Sequence, residues 1–178
     1  MAGDTSSPHN SRVGRSGVTA THWRYKGDQL LEPLLYSECG LEDVYLLGGY
    51  ERVKTPYGVG IVVKDLDDLH KAITLYLVRD KKILSGTELR FLRKQLDLTQ
   101  AELGRRLRLS DQQVARWEKA QCEISGPADL LLRLLCAKHF GINVDEALDQ
   151  LARLIEIDTP VNERAVFTPT RDGWQKAA

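Results

Sequence analysis

No CxxC pair occurs in these 178 residues, and the three cysteines, Cys39, Cys122 and Cys136, lie far apart and form no cluster with His22, His70 or His139. A structural zinc site needs close-set ligand pairs, and a disulfide framework needs an even count. We therefore expect no metal, no cofactor and no disulfide. With no signal-peptide pattern at the start, this thiol usage points to a reducing cytoplasm. No apolar run approaches the ~20 residues of a membrane-spanning helix, so no membrane is expected as a partner. Charge of one sign is lacking too: 25 Lys and Arg balance 25 Asp and Glu. That excludes a strongly cationic coat protein and leaves affinity for an anionic partner to the local placement of charge. A glycine-rich phosphate cradle is missing, and so is a nucleophile with a positioned base. Cys39 beside Gly40 has no sequence-local base, and Gly48-Gly49 alone supplies no chemistry. The chain is not expected to be an enzyme.

What is present is a hydrophobic content of 42%, enough for one ordinary domain or two small ones. Its best-organised stretch is SGTELRFLRKQLDLTQAELGRRLRLSDQQVARWEK, Ser85 to Lys119. Ser85 precedes Glu88, Thr99 precedes Glu102 and Ser110 precedes Gln113, three copies of the spacing that lets a cap and its third residue satisfy each other's backbone N–H groups. Three short helices follow. Leu89, Leu92 and Leu96 share one face of the first, Leu103 and Leu107 one face of the second, Val114 and Trp117 one face of the third. The short link between the second and third forces a steep crossing and leaves one side of the third uncovered. That side carries Asp111, Gln112, Gln113, Arg116 and Lys119. Gln and Arg have the planar forks that match adenine and guanine edges in the major groove. The competing reading is a plain helical bundle with a solvated outer face: over these residues eight basic side chains meet five acidic ones, a modest surplus.

TQAELGRRLRLSDQQVARWEK resembles the helix-turn-helix of Cro/C1-type (XRE) repressors, and the resemblance extends over Ser85 to His139. It implies that Gln112 and Arg116 meet base edges, with Asp111 and Gln113 as flanking base contacts. It also implies that Gln100 meets the DNA backbone, with Thr99, Arg105, Ser110 and Lys119 as further phosphate contacts, and that Glu118 pairs with Arg93. Two positions depart from the family pattern. Arg108 and Ala120 stand where the family carries Gly, so a non-Gly residue is expected at positive φ, at roughly 1 kcal/mol.

Along the rest of the chain, residues 1–22 lack apolar periodicity and read as a disordered arm, in which Arg12 and Arg15 offer a weak attraction to phosphate. Residues 23–82 read as a ββα module. Val44–Leu47 is a strand interrupted by Gly48-Gly49, either a bulge or a close backbone approach. Tyr50–Thr55 and Val59–Lys64 form a hairpin about Pro56-Tyr57-Gly58. Asp65 is positioned to cap a helix bearing Leu66, Leu69, Ile73 and Tyr76. Residues 83–157 form the helix-turn-helix domain. Its fourth helix begins near Pro127, carries the stripe Leu130, Leu131, Leu134 and Leu135, places Cys136 in the core and ends at Gly141. Its fifth starts at Asn143 and repeats Val144, Ala147, Leu148, Leu151, Leu154 and Ile155, a face shared either with the core or with a second subunit. From Asp158 on, Pro160, Pro169 and Gly173 break any helix, and 158–178 reads as a flexible tail whose Phe167 and Trp174 either dock or stay idle. The fold class expected is α+β: a small N-terminal ββα unit, then a five-helix lambda-repressor-like domain.

YSECGLEDVYLLGGY, together with the LSGTELRFLRKQLDL that follows, resembles MqsA-type regulators. Those that bind zinc use paired CxxC ligands, so the resemblance implies a zinc-free variant. The leading functional expectation is a sequence-specific repressor that binds a palindromic operator in double-stranded DNA as a homodimer, in the manner of an antitoxin that regulates its own operon. The alternative is a protein-interaction module whose ββα unit neutralises a toxin protein, because an exposed hairpin edge is a ready pairing surface.

Overall fold

Val44–Leu46 (β2) is short and apolar, and in the computed structural model it takes partners on both sides. Leu34–Leu35 (β1) pairs with it antiparallel, and Ala165–Thr170 (β5) pairs with it parallel, Val44 opposite Ala165 and Leu46 opposite Phe167. Gly173–Lys176 (β6) completes a four-stranded sheet of order β1-β2-β5-β6. Parallel neighbours require a crossover connection. Here the crossover contains a separate hairpin and all six helices of the described residues, which are 32–156 and 164–177. The expected arm at 1–22, with Arg12 and Arg15, lies outside the described residues.

The tail is therefore not a flexible one where it is described. Phe167 is fully buried, with its ring edge-on to Tyr76 at 6.1 Å between centroids, and Trp174 is 6% exposed. The Trp174 indole N–H donates to the Lys64 carbonyl at 2.8 Å and its backbone N–H to the Asp68 carboxylate at 2.6 Å. The breakers that suggested disorder have other roles. Pro169 lies past the last β5 residue paired with β2, so its missing N–H costs that ladder nothing, and Gly173, at φ 112°, closes the hairpin turn. Gly49 accounts for part of the Gly-Gly pair: at φ 71° it lies against the Trp174 ring, where a Cβ would overlap the indole.

Tyr50–Thr55 (β3) and Gly58–Val63 (β4) pair in register about Pro56-Tyr57, with Gly58 at φ 129°. This hairpin forms its own two-stranded sheet and does not pair with β2. The expected ββα module is thus not self-contained, since its remaining strand is completed by the C-terminal residues. Asp65 corrects another expectation: it adopts φ 49° and its side chain makes no cap. Leu66–Arg79 (α1) nevertheless buries Leu69, Ile73, Tyr76 and Leu77, while Leu66 stays in solvent.

The helices after α1 are Gly86–Gln95 (α2), Gln100–Leu107 (α3), Asp111–Glu118 (α4), Gly126–Phe140 (α5) and Val144–Glu156 (α6). One core runs from Tyr36 on β1's flank through Leu92, Leu103 and Leu132 to Trp174, without a break at the expected 82/83 boundary. On α5 the buried face is Ala128, Leu132, Arg133, Cys136 and Ala137, rotated from the expected leucine stripe; Leu130 and Leu131 are exposed. The reason is Arg133, only 1% exposed. Its Nη1 donates to the carbonyls of Leu77 (2.6 Å) and Lys81 (2.7 Å) at the C-terminal end of α1, and its Nε and Nη2 bind Asp129. On α6, Ala147 and Leu151 are buried and Ile155 is 70% exposed.

Cys39 is half-buried and donates to the Tyr36 carbonyl, and burial raises its thiol pKa, the reverse of what a nucleophile needs. Cys136 is buried, its thiol pushed up to about 12 by desolvation.

Candidate nucleic-acid interface

Helices α2 to α4 begin as their caps dictate. The Ser85 N–H donates to Glu88 Oε2 at 2.7 Å and the Glu88 N–H to Ser85 Oγ at 3.3 Å. Thr99 and Glu102 repeat the arrangement at 2.8 and 3.2 Å. The third cap is one-sided: the Gln113 N–H reaches Ser110 Oγ at 3.2 Å, but the Gln113 side chain turns away and donates to Cys122 Sγ at 3.4 Å.

Three helix ends carry non-glycine residues at positive φ: Asp97 (53°), Arg108 (58°) and Ala120 (53°). Arg108 makes the turn between α3 and α4. Asp tolerates this conformation through its short polar side chain, whereas Arg and Ala each hold it at about 1 kcal/mol. Arg108→Gly together with Ala120→Gly is therefore expected to raise stability by about 1 kcal/mol in total, the gain being reduced by the larger unfolded-state entropy of glycine. A thermal midpoint that stays level or falls would contradict this account of the two turns.

Two glycines set how closely the helices approach. A Cβ on Gly104 of α3 would sit 2.8 Å from the Leu109 carbonyl oxygen and 3.1 Å from the Ser110 carbonyl carbon, and one on Gly86 of α2 would collide with the Trp117 carbonyl. Neither position was singled out from the sequence. The available signal was a glycine inside a helical pattern, which marks close packing when it is not a cap.

Val114 and Trp117 face inward and are buried. The opposite side of α4 presents Asp111, Gln112, Arg116 and Lys119 to solvent, with Gln113 half-buried beside them. The helix is held in place at its far end. Glu118 takes the Arg93 Nε–H and, at 3.1 Å, an Nη2–H, while Arg93 Nη1 donates to the Leu98 carbonyl at 2.6 Å. Gln100 Nε2 donates to the same Glu118 carboxylate at 2.8 Å. One carboxylate thus ties α4 to α2 and to the first residue of α3, and Gln100 has an internal partner in addition to any it meets outside.

The residues expected at phosphate divide by what they have left to donate. Arg105, Ser110 and Lys119 are exposed, and the Ser110 hydroxyl, having accepted its cap bond, keeps its proton. Thr99 gives both its N–H and its hydroxyl proton to Glu102, which leaves its side chain no free donor. Those two bonds hold the Glu102 carboxyl below its ordinary pKa. Among the described residues no group of three or more His, Cys, Asp or Glu could hold a metal ion, and no described helix is long and apolar enough to cross a membrane.

No curated protein and no solved structure matches the chain. Residues 89–146, less than half of the chain, match the family model described as Helix-turn-helix. Over those residues the chain is similar to DNA-binding transcription regulators of the Cro/C1-type (XRE) group, and the outer face of α4 is its candidate nucleic-acid interface.

Proposed function

We propose that the chain is a sequence-specific transcriptional repressor, acting in the cytoplasm as a homodimer on a palindromic operator. The observation that carries this reading is the two-sidedness of α4: Val114 and Trp117 anchor it, and Gln112 and Arg116 stand clear of the protein on the other side. Gln112 and Arg116 read bases, Asp111 and Gln113 flank them, and Gln100, Arg105, Ser110 and Lys119 hold the phosphates. One such helix reads too few base pairs for a unique site, so two copies about 34 Å apart are expected. Leu130, Leu131 and Ile155, left in solvent on α5 and α6, support association of two copies.

The test is selection of bound fragments from random DNA by the purified chain, followed by affinity measurements on the selected site and a scrambled one. A two-fold symmetric site is expected. Arg116→Ala and Gln112→Ala should each reduce the ratio of the two affinities by roughly 10- to 100-fold, since a bidentate base contact discriminates by about 1–3 kcal/mol. Equal loss on both DNAs would remove these residues from base reading. Arg105→Ala should weaken both DNAs alike and flatten the salt slope by about one unit.

A second reading, an antitoxin of the MqsA type without zinc, is favoured by the hairpin. Val53, Val59, Val62 and Tyr57 are exposed there, and among the described residues no further strand pairs with either edge of the hairpin, which leaves it available to another chain. Co-purification with the product of an adjacent small gene, lost in Val59→Lys with Val62→Lys, would support a toxin protein as partner.

A further inference from the structure

A cavity of about 570 Å³ opens where five parts of the chain converge: residues 41–44 leading into β2, Tyr76 and Leu77 of α1, Lys81 and residues 83–88 leading into α2, Glu118–Ala120 at the end of α4, and Ala165 of β5. Small-molecule sites span ~300–1000 Å³. Its walls are apolar at Leu41, Val44, Ile83 and Leu84, and its charges are of two kinds. Some are already neutralised. Lys81 and Glu88 pair at 3.1 Å, nearly buried, and Glu118 is held by Arg93 and Gln100. The others are open. The Glu42 and Asp43 side chains are exposed and make no hydrogen bond or ion pair with described residues, and among the described residues that line the cavity Lys119 is the exposed cation against them. The open charge is net negative, and the carbonyl end of α4 adds to it.

We propose that this cavity binds a small amine, one ammonium group on an apolar body, and that its occupancy is coupled to DNA binding through Glu118–Ala120. The ammonium meets Glu42 and Asp43, and the body covers the apolar wall. Coupling follows from shared residues. The wall formed by Glu118 belongs to the carboxylate that ties α4 to α2 and α3, Ala120 sits at φ 53°, and Gly86 is packed against the Trp117 carbonyl with no room for a methyl. A ligand that moves this wall moves the helix that faces DNA. The coupling rests on the DNA reading proposed above, but the binding does not.

The test is titration of the nitrogen-15-labelled 178-residue chain with tryptamine and with benzylamine, followed by amide shifts. Tryptophol and indole-3-acetate serve as the neutral and anionic counterparts. The amines are expected to shift the amides of 42–43, 84–88 and 118–120 with a dissociation constant of roughly 1 mM, the strength open to ligands of this size. Glu42→Gln with Asp43→Asn, both at exposed positions, should weaken them about tenfold with the thermal midpoint unchanged. The proposal is overturned if neither amine moves these amides at roughly 10 mM, ten times that constant, if indole-3-acetate binds as tightly, or if the double variant binds unchanged. Coupling is read separately on the selected DNA site: saturating amine should change affinity about fivefold or more, and unchanged affinity overturns the coupling. A chain that binds amine but no DNA supports the cavity and overturns the DNA reading instead.

Discussion

Arg133→Met is expected to destabilise the chain by about 3–5 kcal/mol, the loss that follows when one member of a buried charged pair is removed. The guanidinium is the donor for the Leu77 and Lys81 carbonyls at the end of α1 and the partner of Asp129, all at 2.6 to 3.2 Å. Methionine fills much of the volume but donates nothing. It leaves two carbonyls in the protein interior without a partner, at about 1–3 kcal/mol each, and a carboxylate without its counter-charge. Because part of the penalty is the stranded carboxylate, adding Asp129→Leu should restore some of the stability, although the carbonyls stay orphaned. Urea unfolding decides it. A shift in midpoint worth less than about 1 kcal/mol, or a double variant less stable than Arg133→Met, would show that the pair does not hold α5 to α1 in this way.

Gly104→Val is expected to cost about 3 kcal/mol and to abolish DNA binding even in the fraction that stays folded. The Cβ alone would be 2.8 Å from a backbone oxygen of the turn, which cannot rotate away as a side chain would, and valine adds two methyl groups to the collision. Relief requires α3 and the 108–110 turn to separate. That turn sets the direction in which α4 presents Gln112 and Arg116. The separate readouts are the urea midpoint for stability and, at a denaturant-free condition where circular dichroism shows native helix, affinity for the selected DNA site. Wild-type affinity in the folded protein would mean that the α3–α4 approach does not orient the recognition helix. Gly104→Ala should fall between the two, with a smaller shift to absorb.

The reciprocal cap pairs at Ser85 and Thr99, the Ser110 half of the third, and the inward positions of Val114 and Trp117 follow from interactions between residues three or four apart, so they are legible in one dimension. The left-handed turn at Arg108 was legible only through the family resemblance, which places Gly at that position. The site was less legible where a side chain had two options. Gln113 has the spacing of a cap partner and instead bonds Cys122, and Gln100 has the position of a phosphate contact and also bonds Glu118.

What the sequence determined by itself is the helix-turn-helix stretch: where its helices start, which faces are apolar, and which polar groups are left pointing outward. All of these are set within one or two turns of chain. Only the tertiary structure decided that residues 165–176 are strands, because their pairing with β2 crosses more than a hundred residues and leaves no periodic trace beside Pro169 and Gly173. Only it could turn Arg133 inward within LLLRLL, since the carbonyls that make burial of a guanidinium favourable belong to another helix. The cavity beside Glu118 has the same origin: its walls come from segments spread between Leu41 and Ala165, and no one of them carries the shape.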